Sequence, residues 1–427
     1  MYSTDAPAAL VRTSPRPVTR GKLGVLLASD WLLVAVVFLL TRTIALLGAY
    51  SGVRGLVLSE PQRNKGWIAE LALMWDAAWY AGIARDSYSY DPNAPGGTNV
   101  AFAPLYPFLM RAVATLLEWL TLGWDWGNKM YGSLIAAGLL ISNISFYVAL
   151  VLLMRLLAPR LGRSGAGLVI FGLAALPLSF FFSAIYTEGL FLLLVVGAFS
   201  LARSDWRHKW LCAALVGILA SLCKFTGLLL LPVLAVEYLS QAGWQWRRLR
   251  PDILWLGLVP FGTGIFAVYL WARFGTPIVL YTSMVKGWNH RASFFLLTYW
   301  QSVVQLWQSV TGAVPHESDP VFYYGEGSRL YKVFDLAMPP VLLAGGLLAR
   351  ARVKPSEWAW LVLGIVYPLS TNITFSLARY TLPLWPGLLW LAIPHRRVRL
   401  AGAVWLVGSL VLLAWCSSIY GSAHWIG

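Results

Sequence analysis

The chain has 427 residues, of which 58% are hydrophobic and only 12% charged, with a formal net charge of +15. A soluble globular chain carries about twice that charged fraction. The apolar residues here recur in blocks of membrane-spanning length, which excludes an ordinary soluble protein. Lys and Arg fall in short clusters between the blocks, the pattern of basic cytoplasmic loops, and no base-reading helix accompanies them, so nucleic acid is set aside as a partner.

Residues 1–22 are polar, with Arg12, Arg16, Arg20 and Lys22, and read as a disordered cytoplasmic tail ahead of one transmembrane domain over 23–427. The first span, near 24–50, contains Arg42, a cation that must face protein, a polar cavity or an interface. A long outer loop, 51–129, follows. Its apolar stretch 104–121 is read as an interfacial helix, because a span there would leave Arg155, Arg160 and Arg163 outside. Spans are expected near 130–153, 166–182 and 186–202. Residues 210–240 are too long for one span and too short for two ordinary ones, so they read as a hairpin bent at 221–227, with Lys224 at the bend. A span at 253–272 leads to a second outer loop, 273–330, holding an apolar aromatic stretch near 294–311 and the polar residues His316, Glu317, Asp319 and Glu326. Spans near 331–349, 356–371, 379–394 and 400–419 complete the chain. The expectation is an all-α polytopic membrane protein of about eleven transmembrane helices, with interfacial helices in the first outer loop, the N-terminus cytoplasmic and the C-terminus outside. Short Ala/Gly/Trp-rich spans and compact loops favour a bacterial plasma membrane.

The stretch Trp75–Pro107 concentrates polar chemistry beside the first span. On a helix over 75–86, Trp75, Trp79 and Ile83 share one face and can lie on lipid, while Asp76 and Tyr80 share an adjacent one. Asp76 can act as a general base toward a hydroxyl or simply cap a helix. Glu188, at the outer start of a span, can bind acceptor hydroxyls or complement the helix dipole. Lys224, Arg379, and with them Lys286, His290 and Arg291, can hold a lipid phosphate or snorkel to headgroups. Cys212, Cys223 and Cys416 lie in apolar segments without metal-ligand spacing, and neither a metal site nor a nucleotide-binding loop is evident. No cofactor is expected. The energy of any reaction would arrive with an activated lipid.

These residues resemble a family. Trp75-Asp76-Ala-Ala-Trp79-Tyr80, then Ile83-Ala84, Tyr88 and Ala101-Phe102-Ala103-Pro104-Leu105-Tyr106-Pro107 are similar to the signature of the PIG-V type mannosyltransferases, members of the GT-C superfamily. Tyr186-Thr187-Glu188, Lys224-Phe225-Thr226-Gly227, Gly275-Thr276-Pro277 with Trp288, and Ser376-Leu-Ala-Arg379-Tyr380 resemble later family motifs in the family's order. Ser87 stands where the family usually has Gly, Ala103 where it has Phe, and Thr276 where it has Asp. The resemblance implies a polyprenyl-phosphate-mannose donor, a glycan or glycolipid acceptor on the outer face, and inversion at the anomeric carbon. It implies Asp76 as the base. Lys224, Arg379 and Tyr380 would serve the donor phosphate and lipid. Trp75, Tyr80, Tyr88, Tyr106, Glu188, Trp288 and His290 would bind substrate. A transporter or flippase for lipid-linked sugars, or a non-catalytic binder of them, fits the many spans and buried cations as well. Gathering of the polar groups near one interface rather than the midplane favours the enzyme.

Overall fold

The computed structural model describes residues 20–55, 71–91, 98–120, 131–288, 290–313, 328–372 and 376–426. Most of the expected tail and the segment with His316, Glu317, Asp319 and Glu326 lie outside the described residues. Among the described residues every regular element is helical. The longer helices are α1 (Arg20–Gly55), α2 (Asp76–Asp86), α3 (Leu105–Leu120), α4 (Gly132–Ala174), α5 (Glu188–Ala202), α6 (Lys209–Cys223), α7 (Leu230–Gln241) and α8 (Phe261–Phe274). They are followed by α9 (Val279–Thr282), α10 (Phe295–Thr311), α11 (Ser328–Leu348), α12 (Pro355–Leu369), α13 (Leu377–Tyr380) and α14 (Arg396–Gly421). Among the described residues five stretches are long and apolar enough to cross a membrane: Asp30–Arg54, Gly132–Ala174, Pro251–Phe274, Tyr331–Leu348 and Arg396–Gly421. Glu188–Ala202, Lys209–Cys223 and Phe225–Gln241 are shorter apolar helices. The protein is thus an all-α polytopic membrane protein.

Several expectations change. Helix α1 already begins at Arg20, inside the stretch read as tail. The spans expected at 130–153 and 166–182 are two arms of α4, bent where Pro159 lacks an N–H donor and Gly162 adopts a non-helical φ of 72°. The second arm stops at Ala174, and a tight 3₁₀ turn, Ser179–Phe182, replaces the rest of that span. The span expected at 379–394 does not form. Pro383 and Pro386 remove backbone donors, and the chain runs as α13, a turn and the 3₁₀ segment Trp385–Ala392, whose Trp385 and Leu389 are fully enclosed. The hairpin over 210–240 is present, as α6 and α7 around the turn Phe225–Leu229.

Packing places these elements closely. Helices α1 and α14 touch through small residues. A Cβ on Gly48 would lie 2.2 Å from the Ala414 carbonyl oxygen, and one on Gly52 1.9 Å from that of Ser418. Without a hydrophobic force between helices in lipid, such close backbone approach carries the association. Arg42 of α1 faces protein. Its guanidinium donates to Ala174 O at 2.8 Å, Ser179 O at 2.6 Å and Ser179 Oγ at 2.9 Å, capping the carbonyl end of α4.

Helix α2 is wedged among neighbours rather than laid on lipid. Ile83, expected on the lipid face, is fully buried, and Trp75 packs edge-on against Trp425 at 5.2 Å. Arg111 of α3 caps α2 by donating to the carbonyls of Ala84, at 2.6 Å, and Arg85. α3 itself buries Tyr106, Met110 and Ala114, one helical stripe, and exposes Phe108, Leu116 and Trp119.

At the far end of α5 a second charged layer closes the bundle. Glu357 accepts from Arg160 at 2.9 Å and from Arg203 at 2.8 Å, and Arg203 also reaches Glu237 at 3.0 Å. Glu357 is fully buried, so Glu357→Gln leaves two arginines short of their shared counter-charge. We expect a loss of about 3–5 kcal/mol, read as a lower melting temperature in detergent. A second prediction concerns Ser87, which ends α2 at φ 71° and ψ −168°, backbone that in practice only glycine adopts without strain. Ser87→Gly is expected to stabilise by about 1 kcal/mol after glycine's own entropy cost, measured by the same melting experiment.

Candidate active site

Four charged side chains from four separate segments meet at one end of the bundle. Asp76 is the first residue of α2, and its cap position, Trp75, holds a left-handed φ of 56° that turns the carboxylate inward. Glu188 is the first residue of α5. The backbone can come this close only because the next residue is glycine: a Cβ on Gly189 would lie 2.6 Å from Ser142 O and 2.7 Å from Phe182 O. Lys224 sits at the break between α6 and the turn that follows, in extended conformation. Arg379 rides on α13, a single turn entered through Ser376 at φ 61°.

The geometry links them in a chain of alternating sign. Arg379 Nη1 donates to Asp76 Oδ2 at 2.6 Å, Arg379 Nε lies 3.5 Å from Glu188 Oε1, and Lys224 Nζ donates to the same Glu188 oxygen at 2.9 Å. Charge-assisted contacts of this kind offset the cost of removing the groups from water. Exposure separates the two carboxylates. The Glu188 side chain is 2% exposed and already engaged by both cations, whereas Asp76, at 17%, is the open end of the chain. Asp76 is the first helical residue of α2, one past the cap position Trp75, and its carboxylate accepts from Arg379.

Aromatic rings enclose the chain. The Arg379 guanidinium lies 5.3 Å from the Tyr186 ring centre, 5.5 Å from Phe181 and 5.6 Å from Trp425. The Lys224 ammonium stands 4.4 Å over Tyr380, a cation–π contact. Tyr80 packs edge-on against Phe102, Tyr106 and Tyr186. Beside them Trp79 stacks on Phe102 at 5.8 Å and meets Trp288 edge-on at 6.2 Å, while Trp288 Nε1 donates to Thr98 O at 3.2 Å. Trp79, at 36% exposure, is the open ring of that trio.

The residues singled out from the sequence therefore divide. Asp76, Arg379, Glu188, Lys224 and Tyr380 form one connected cluster, which Trp75 reaches through Trp425 and Tyr80 through Tyr186. Tyr88 and Tyr106 are enclosed supports. The Tyr88 hydroxyl donates to Phe102 O at 2.8 Å, and that of Tyr106 to Gly138 O at 3.1 Å. Lys286 and Arg291 are exposed, and His290 is tied through its backbone N–H to Met284 O at 2.9 Å; no bond among the described residues joins these three to the charged chain. Burial lowers the His290 imidazole pKa and favours the neutral ring, which weakens it as a phosphate-binding cation.

Two residues of the site went unnoticed in the sequence. Asp335 of α11 is fully buried behind α13 and accepts from the Ala378 amide at 2.8 Å. Its signal was available: a carboxylate inside an apolar helix is functional by default. Trp425, one of 23 tryptophans, gave no such signal, and only its packing against Arg379 and Trp75 singles it out. Chemically, the arrangement offers a carboxylate that can accept a proton at its open end, beside two cations able to hold an anionic oxygen.

Comparison with known proteins places part of this chain. No curated protein sequence matches it. Two solved structures are similar: an oligosaccharyltransferase of Archaeoglobus fulgidus tethered to an acceptor peptide with an NVT sequon, and the archaeal oligosaccharyltransferase AglB of the same organism in complex with an inhibitory peptide and a dolichol-phosphate. The first is 14% identical over 90% of this chain and 55% of its own, with a TM-score of 0.42. The second is 15% identical over 91% and 56%, with a TM-score of 0.41. The chain thus spans about half the length of these relatives. The family model described as Mannosyltransferase (PIG-V) matches residues 57–241, a stretch that includes Asp76, Glu188 and Lys224.

Proposed function

We propose that the protein is an inverting GT-C glycosyltransferase that moves mannose from a polyprenyl-phosphate-mannose donor to a hydroxyl of a glycan or glycolipid acceptor. The observation that carries this reading is the ion-pair chain itself, with Asp76 at its open end and Arg379 and Lys224 behind it. Asp76 takes the proton of the acceptor hydroxyl as its oxygen attacks the anomeric carbon. The bond from that carbon to the donor phosphate oxygen breaks, with inversion, and the leaving phosphate takes the negative charge. Arg379 and Lys224 stabilise that charge, with Lys224 acting as a point charge and Arg379 through its directed N–H groups. Glu188 keeps both cations in place rather than meeting the acceptor, because its carboxylate is buried between them. Trp79, Phe102 and Trp288 form an aromatic wall suited to the sugar or to the first isoprene units of the donor.

The reaction is assigned to the extracytoplasmic face. Support comes from the second charged layer. Arg203 directly follows α5, so it lies about 22 Å from Glu188 along that helix, and the basic clusters Arg207–Lys209 and Arg350–Lys354 belong to that other end. A membrane-confined donor meeting an interfacial base supplies much of the acceleration through proximity.

Purified protein in detergent, given a short-chain polyprenyl-phosphate-mannose and a panel of glycan and glycolipid acceptors, is expected to release polyprenyl phosphate only when a suitable acceptor is present. Asp76→Asn should lower turnover by at least about 100-fold while donor binding persists. Donor binding without transfer in the wild type would instead indicate a carrier or binder of lipid-linked sugars. In the same assay Lys224→Met is expected to lower kcat by about 100- to 1,000-fold, with Lys224→Arg retaining more activity; equal rates in the two variants would remove Lys224 from charge stabilisation.

A further inference from the structure

The helix that presents Arg379 cannot hold itself. α13 is four residues long, less than the length at which a helix sustains its own hydrogen bonds. It is entered through Ser376 in left-handed backbone at φ 61°, a conformation a serine holds only when its surroundings impose it. Like any helix start it exposes amide groups with no intrahelical partner.

The restraint comes from α11. Asp335 is the eighth residue of that 21-residue helix, is fully buried, and its Oδ1 accepts from the Ala378 amide at 2.8 Å. Lys332 lies one helical turn before Asp335 on the same helix. Ala378 immediately precedes Arg379, so the carboxylate holds the backbone one residue from the guanidinium that meets Asp76 at 2.6 Å. A carboxylate placed this deep is costly, and its best-placed donor is a helix-start amide, the arrangement of an N-cap supplied from another helix.

We propose that Asp335 is a positioning residue: by capping α13 from α11 it sets Arg379 against Asp76 and Glu188, and Tyr380 under Lys224. It touches neither donor nor acceptor. The inference rests on the transferase reading for its effect on turnover, but not for its effect on the backbone. The two substitutions separate acceptor from charge. Asp335→Asn retains an oxygen for the Ala378 amide, and Asp335→Ala removes it.

Two readouts on the full-length protein in detergent test this. Hydrogen exchange over 376–381 is expected to be slow in the wild type and in Asp335→Asn and fast in Asp335→Ala, with exchange around Arg203 and Glu357 unchanged as a check on folding. In the transfer assay Asp335→Ala should lower kcat by about 100-fold with little change in the KM for donor, and Asp335→Asn should restore most of the loss. Exchange that is equal in all three proteins overturns the proposal, as does an Asp335→Ala enzyme with wild-type kcat. If the wild type transfers no sugar, the transferase reading fails, while the exchange comparison still decides whether Asp335 holds α13.

Discussion

The ion-pair chain Asp76–Arg379–Glu188–Lys224 is the constraint to which the surrounding elements conform. Four charges with little exposure persist beside apolar helices only if each has a partner at hydrogen-bonding distance. That requirement fixes where helices begin and end. α2 starts at Asp76 and α5 at Glu188, so both carboxylates sit at helix N-termini, where the backbone dipole favours negative charge. Lys224 falls at the break between α6 and α7, and Arg379 on a single turn entered from strained backbone. Helices are thus interrupted where these charged side chains converge, the setting in which broken helices are tolerated in a membrane protein.

Around that centre the packing does two different jobs. Small residues let α1 and α14 approach until a Cβ on Gly52 would collide with the Ser418 carbonyl. Large rings do the opposite near the charges: Tyr186, Phe181 and Trp425 fill the space around Arg379, lowering the local dielectric and presenting ring faces to the cation. At the other end of α5 the Arg160–Glu357–Arg203–Glu237 layer ties α4, α5, α7 and α12 together. The carboxylates of that layer, Glu357 and Glu237, are enclosed, at 0% and 4% side-chain exposure, whereas Asp76 is 17% exposed.

Much of the helical organisation was legible because hydrophobicity in lipid follows element length. The hairpin at 210–240 follows from run length and its interruption, the helix over 104–121 from its apolar run and the placement of the basic clusters, and the first and last spans from run length. The errors share one cause. Hydropathy counts apolar residues without knowing what covers them. The run 379–394 is apolar enough for a span, yet its prolines break the helix and its side chains are buried in protein rather than in lipid. Ile83 lies on the apolar face of α2, but α3 and α4 occupy the space where lipid was expected.

For the site, the sequence by itself determined which residues carry charge in an otherwise apolar chain: Asp76, Glu188, Lys224 and Arg379 stand out because polar groups are expensive in such segments. It could not determine who pairs with whom. Asp76 and Arg379 are 303 residues apart along the chain, and Lys224 and Glu188 are 36 apart on different helices. Only the tertiary structure decided that Glu188 is enclosed between two cations while Asp76 stays open, that Tyr88 and Tyr106 are scaffold, and that Asp335 lies behind Arg379. The physical reason is that charge is a property of a residue, whereas burial, partner and exposure are properties of how separate helices pack.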